Sequence, residues 1–100
     1  MRMDKMTTKF QEALMDAKSL ALGADNNMIE PIHLLQALIE QEGGTVSHVL
    51  TKAGVNVNQL QRKLSERLEQ LPKVSGVEGE VHLSNDLDKI MNIMDKLAMQ

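Results

Sequence analysis

The sequence Ile29-Glu30-Pro31-Ile32-His33-Leu34-Leu35 marks the start of a helix. Proline suits the first helical position, because its missing N–H would have no partner there in any case, so the helix is expected to begin at Pro31. An apolar residue before a helix cap can pack on one in the next turn, and Ile29 and Leu34 have that spacing. The predicted helix ends at Gly43-Gly44. Its inward face consists of Leu34, Leu35, Leu38 and Ile39.

The residues before this stretch predict another helix. Its apolar residues recur at steps of three and four and form one stripe: Phe10, Ala13, Leu14, Ala17, Leu20 and Ala21. Thr7 or Thr8 can cap its start, and Gly23 supplies a left-handed stop, so the helix is expected to run from about Thr8 to Leu22. The polar residues 24–27 then form a turn.

Three more helices are predicted downstream. A short one follows Thr45, and a longer one follows Asn56 and ends before Pro72. Residues 73–83 combine two glycines with loose alternation, which predicts a connecting loop. Ser84 caps the last helix, whose stripe is formed by Leu87, Ile90, Met91, Met94, Leu97 and Ala98. The predicted fold class is therefore all-α, a small bundle of about five helices.

Composition narrows the function. The chain has 100 residues, a net charge of −3, 42% apolar residues and no cysteine, which is typical of one small soluble domain without disulfides, thiolate catalysis or cysteine zinc sites. Because its net charge is negative, the chain has no overall electrostatic attraction for a phosphate backbone, so nucleic acid is not expected as a partner. No apolar run approaches the ~20 residues of a membrane helix or resembles a signal peptide. We therefore expect a cytoplasmic protein with no membrane partner.

The last predicted helix repeats the pattern of the first. Placing Ser84 on Thr7 also places Ile90 on Ala13, and Leu97 on Leu20, which favours an internal repeat whose second copy is cut short. A chance agreement of two amphipathic helices is the alternative. Without the rest of its unit, the last helix must pack on the first helix, leave apolar surface open or find a second molecule. We therefore predict that the chain self-associates at high concentration.

Several stretches, taken together, resemble the N-terminal Clp repeat domain of ClpB-type heat-shock disaggregases: residues 1–10, 21–23, 29–35, 41–44 and 95–98. The Glu30-Pro31-x-His33-Leu34 stretch matches the usual signature of that family. The resemblance implies an all-helical double repeat. Its first repeat would cover residues 1–72, residues 73–83 would connect the repeats, and residues 84–100 would form the first helix of a second repeat that is truncated.

The resemblance also implies a function. The family's domain binds exposed apolar segments of unfolded or aggregated protein for an ATP-dependent disaggregase, and it precedes two ATPase modules in a hexameric ring. No Gly-x-x-x-x-Gly-Lys-Ser/Thr motif occurs here, so we expect the chain itself to be no enzyme and to bind no cofactor. ATP and magnesium would belong to the missing ATPase modules. The alternatives are a structural or regulatory brace of the ring and a free-standing Clp-repeat adaptor.

In the family, substrate engagement is attributed to an apolar groove near the first helix of each repeat. The resemblance points to Thr7 and Ser84 as polar residues at its edge. It points to four residues as apolar lining: Leu14, Met91, Ile93 and Leu97. A flexible methionine would suit varied clients. The competing interpretation is structural, because serine and threonine cap helices and apolar residues at helical spacing usually form a core.

Glu30 and His33 form a Glu-x-x-His pair, which can ligate iron in helical bundles. Such a site needs a second pair, and the sequence has none, so capping and a hydrogen-bonded structural histidine are the favoured interpretation. His48 and His82 are expected at the surface. The sequence predicts no catalytic residue and no metal ligand.

Overall fold

A computed structural model describes residues 7–74 and 81–98 of the chain. Within these ranges the chain forms five helices, in the order α1 (Thr8–Gly23), α2 (Pro31–Glu40), α3 (Val46–Lys52), α4 (Val57–Glu69) and α5 (Asn85–Ala98). Two short strands, β1 (Met28–Ile29) and β2 (His82–Leu83), pair in parallel. The prediction of an all-α bundle of about five helices is confirmed.

The helix starts follow from local hydrogen bonds. A side-chain oxygen before three of the helices accepts from a backbone N–H one turn later: Thr7 from Phe10 at 3.1 Å, Asn56 from Gln59 at 3.0 Å and Ser84 from Leu87 at 3.1 Å. Each bond satisfies an N–H that has no partner within its helix. Thr45 also precedes its helix as predicted, but its side chain makes no capping hydrogen bond.

The end of α1 differs from the prediction. Gly23 is the last residue of the helix and not the left-handed residue that stops it. That conformation belongs to Asp25, whose φ is 58°. Aspartate tolerates it because its short polar side chain can hydrogen-bond locally. The chain is held there by the backbone N–H of Asn26, which donates to the carbonyl of Ala21 at 2.9 Å.

The predicted loop over residues 73–83 is wrong at its end. Residues 75–80 lie outside the described residues, but His82 and Leu83 form β2, in register with Met28 and Ile29 of β1. The backbone N–H of Ser84 continues the pairing by donating to the carbonyl of Ile29 at 3.0 Å. Two residues carry no periodicity of their own, so only their distant partner makes them a strand.

One core joins α1, α2, β1 and α5. It consists of Ala13, Ala17, Ala21, Ile29, Leu34, Ala37, Leu87 and Met91. The predicted pair Ile29 and Leu34 is buried within it. The contact between α1 and α2 is the most extensive between helices, and the alanines of α1 allow the two backbones to approach closely. The remaining helices α3 and α4 pack against α2.

Candidate functional site: the exposed face of the last helix

The two rows of apolar residues on α5 have different surroundings. Leu87 and Met91 lie in the core, where 0% and 4% of each residue is exposed. Ile90, Ile93 and Leu97 are exposed by 41%, 57% and 62%. Because each helical residue is rotated by about 100° from the one before, the exposed row lies directly beside the buried one. The apolar arc of α5 is therefore wider than the part that the core covers.

The structure places the six predicted site residues in different settings. Ile93 and Leu97 are exposed on α5, Leu14 is half-buried and packs against the core, and Met91 is part of the core. Thr7 is exposed, and Ser84 is buried. The hydroxyls of both these residues cap their helices. Full apolar side chains thus reach solvent at two of the six positions.

Ile90 was not among the predicted site residues, although it belongs to the predicted stripe. The signal that could have identified it is its spacing, because it precedes Ile93 by three residues and Leu97 by seven. Among the described residues, α5 alone has more than one exposed large apolar side chain. Those on other elements, such as Met15 and Val49, stand singly, which is common on protein surfaces.

His33 lies in a buried polar network near the start of α2. Its Nδ1 accepts from the backbone N–H of Glu30 at 2.8 Å, and its Nε2 donates to Oδ1 of Asn26 at 2.9 Å. The side-chain amide of Asn26 in turn donates to the carbonyl of Pro72 at 3.1 Å. Burial lowers the pKa of His33, and the nearby Glu30 carboxylate opposes this only in part. The network joins the start of α2 to the segments that follow α1 and α4.

The prediction of a hydrogen-bonded structural His33 is confirmed, whereas the burial of Asn26 was missed. Residues 24–27 were expected to form a polar turn, and nothing in their local pattern distinguishes Asn26. It is 3% exposed because its amide has partners on both sides, one of them 46 residues away. A buried amide whose oxygen and nitrogen both have partners avoids much of the cost of removing these groups from water.

Residues 5–100 match the family described as the Clp repeat (R) N-terminal domain. The chain belongs to this family. Chaperone protein ClpB of Vibrio cholerae serotype O1 is 50% identical to it over 100 residues, and that of Pseudomonas putida is 47% identical. Each alignment covers the whole chain but only 12% of the relative's length. The resemblance to the N-terminal Clp repeat domain of ClpB-type proteins is confirmed.

The fold agrees with this assignment to the Clp repeat family. A solved chain, titled as preliminary structural investigations of a malarial protein secretion system, superposes with a TM-score of 0.78. The match covers 94% of this chain and 64% of that chain at 22% identity, and at that identity it supports a shared fold alone.

Within residues 7–74 and 81–98 of this Clp repeat domain, no group of three or more His, Asp or Glu side chains is arranged to hold a metal ion. His48 and His82 are exposed, as expected. None of the helices in the described part of the chain is long and apolar enough to cross a membrane.

Proposed function

We propose that this Clp repeat domain binds exposed apolar segments of unfolded or aggregated polypeptides and presents them to the ATPase modules of a ring-forming disaggregase. The observation that carries the proposal is the exposed row of Ile90, Ile93 and Leu97 on one helix. Clustered apolar side chains at a surface mark interaction sites more often than single ones do. The name Chaperone protein ClpB, which several relatives share, supports a role in handling other polypeptides.

The expected binding is weak and tolerant of sequence. Full burial of an aliphatic side chain contributes roughly 1.5–3 kcal/mol, but the row on α5 is already partly covered, and association itself has an entropic cost. A row of methyl groups on a convex helix also places few directional demands on its partner. These properties suit a module that must engage many different clients and release them to a motor.

The proposal rests mainly on Ile93 and Leu97. Of the other predicted contacts, Thr7 is exposed and keeps its proposed place at the edge of the binding surface, and Leu14 can contribute the exposed part of its side chain. Ser84 and Met91 are each 4% exposed, so α5 would have to shift before either could touch a client. We therefore propose that Ser84 and Met91 contact a client only after such a shift of α5.

A brace of the ring is the second candidate function. It is favoured by the burial of Leu87 and Met91, through which α5 packs on the core of the domain. In that case the row from Ile90 to Leu97 would pack against a neighbouring module of the parent protein and would have no affinity for clients. Titration of the domain with an unfolded protein distinguishes the two functions.

The test uses a permanently unfolded probe, reduced and carboxymethylated α-lactalbumin, titrated into the labelled domain. We expect Ile93→Lys and Leu97→Lys each to weaken binding by about tenfold, because each removes an aliphatic group that a bound client would bury and introduces a charge there. Met15→Lys is the matched control, because Met15 is 59% exposed and the substitution changes the net charge equally. The control should bind like the unaltered domain.

Two results would remove the client-binding role. One is an absence of binding by the unaltered domain, which would favour the brace. The other is an equal loss of affinity in Met15→Lys and Ile93→Lys, because a general effect of charge would then explain both.

A further inference from the structure

We propose that the edge of β2 that faces away from β1 pairs with the main chain of an extended client segment, which becomes a third strand beside β2. This inference rests on the proposed function and specifies its binding mode. Its basis is the direction of the hydrogen bonds that β2 makes with β1.

Neighbouring residues of a strand direct their main-chain groups to opposite sides. The N–H of His82 donates to the carbonyl of Asn27 at 3.5 Å, and the N–H of Ser84 donates to the carbonyl of Ile29 at 3.0 Å. Both residues therefore use the side of β2 that faces β1. Leu83 lies between them, so its N–H and C=O point away from β1. Among residues 7–74 and 81–98, neither group has a backbone partner on that side.

The open edge is accessible. His82 and Leu83 are both exposed, whereas β1 is in contact with α1. Main-chain groups at the edge of a sheet form a template on which another strand can pair. A donor and an acceptor on one residue match the spacing that an extended peptide presents.

The chemistry of this edge selects an unfolded polypeptide as its occupant. A folded helix has already paired its main-chain groups, whereas an extended segment offers free N–H and C=O groups whatever its sequence. Its alternate side chains can then contact apolar surface, and Leu83 is separated from the start of α5 by Ser84 alone. Asp86 and Asp88, exposed in the first turn of α5, add a preference for basic residues.

The test compares two short fluorescent peptides of alternating Val and Thr with Lys at both ends. One has ordinary amides, and the other is N-methylated at every central amide, which keeps its side chains but removes its main-chain donors. One hydrogen bond is worth a factor of about three to ten in affinity, so we expect the methylated peptide to bind the 100-residue chain more weakly by at least that factor.

Substitutions at Leu83 test the same pairing by changing the chain instead of the peptide. Leu83→Pro removes an N–H that the pairing with β1 does not use. The substitution should lower the affinity for the ordinary peptide by about three- to tenfold. Leu83→Ala is the matched control, because it shortens the side chain and keeps the N–H, so it should have the smaller effect. Circular dichroism checks that both variants fold.

Amide hydrogen exchange of the unaltered chain supplies a readout that needs no substitution. In the free chain the Leu83 N–H should exchange faster than that of Ser84, and saturating peptide should slow the Leu83 amide.

The outcomes separate the two proposals. If both peptides bind equally well and exchange at Leu83 does not change, strand pairing is wrong, while client binding through α5 stands. If the ordinary peptide and unfolded α-lactalbumin both fail to bind, the proposed function fails and the strand mode fails with it.

Discussion

α1 and α5 share a pattern of apolar residues but bury different rows of it. In α1 the row of Ala13, Ala17 and Ala21 is 0% exposed. Its counterpart on α5 begins with Ile90, which is 41% exposed. The next row is reversed, because Leu87 and Met91 are buried in α5, whereas their counterparts in α1, Phe10 and Leu14, are half-buried.

The difference lies in what covers each helix. α2 lies along α1, and its Leu34 and Ala37 join the alanines of α1 in the core. α5 meets the same core through Leu87 and Met91. Nothing in the described part of the chain covers its exposed row, Ile90, Ile93 and Leu97, to the same extent. An amphipathic pattern thus defines an apolar arc, while the neighbouring elements determine how much of that arc becomes core.

The strongest test of this comparison is within α5. Leu87→Ala should lower the free energy of unfolding by about 2–5 kcal/mol, because it leaves a cavity in the core. Ile93→Ala should change it by no more than about 0.5 kcal/mol, because Ile93 is 57% exposed. Urea unfolding measures both values. Equal losses of unfolding free energy would show that the two rows of α5 do not differ in burial.

Exchanging counterparts between the two helices sharpens the comparison. Ala13→Ile gives α1 the residue of α5 and should cost about 1–3 kcal/mol, because the contact with α2 has no space for it. The reverse change, Ile90→Ala, should cost less than about 1 kcal/mol, because Ile90 is 41% exposed. Thermal unfolding of the two variants measures the asymmetry. A tolerated Ala13→Ile would mean that α1 and α2 are not closely packed.

The buried helix cap of α5 should contribute more to stability than the exposed helix cap of α1. Ser84→Ala leaves the Leu87 N–H without a partner in a buried position and should cost about 1–2 kcal/mol. Thr7→Ala affects an exposed cap, where water can replace the hydroxyl, and should cost about 0.5–1 kcal/mol. Glycine at either position serves as a control, because it caps helices better than alanine. A larger loss at Thr7 would contradict the burial argument.

Acid should weaken the α1–α2 side of the molecule first. Burial holds the pKa of His33 below its ordinary value of 6.5, so the unfolded chain binds more protons in mildly acidic solution. The contribution of neutral His33 is complete above pH 6.5 and is lost as the pH falls towards the lowered pKa. Hydrogen exchange should show amides of α1 and α2 losing protection before that of Met91.

A substitution of the histidine provides the control for the acid effect. His33→Gln should remove this step of the pH profile, while His48→Gln, at an exposed histidine, should leave it in place. A profile that keeps the step without His33 would place its cause elsewhere.

The smallest expected effect is self-association through the open row of α5. Light scattering at high protein concentration should report a mass above the 11.1 kDa of one chain, and Ile93→Lys should restore that value. Met15→Lys, matched in exposure and charge, should still associate. A monomer at every concentration would argue against the prediction.

Much of the fold could be predicted from local signals. Pro31, the hydroxyl of Ser84 and the stripe of α1 act through neighbours within one or two turns, so the sequence indicates them directly. The strand β2 and the burial of Asn26 could not be predicted, because β1 and Pro72, the partner of the Asn26 side-chain N–H, each lie about fifty residues away along the chain. The division into two repeats, residues 1–72 and 84–100, stays a prediction.

The candidate site shows the same limit. Spacing predicted an apolar stripe on α5 that included Leu97 but not Ile93, and it could not separate Leu97 from Met91, which lies in the same arc. Family resemblance had the same limit, because it grouped these residues by their place near a groove. Exposure distinguishes them, and exposure depends on packing.

By itself, the sequence determined where helices begin and which side of each is apolar, because helical hydrogen bonds join residues only a few positions apart. Tertiary structure decided that the alanines of α1 are sealed beneath α2 and that Ile93 and Leu97 are open to solvent. Burial depends on surface supplied by remote parts of the chain, and no local pattern encodes which of two adjacent apolar rows such a surface will cover.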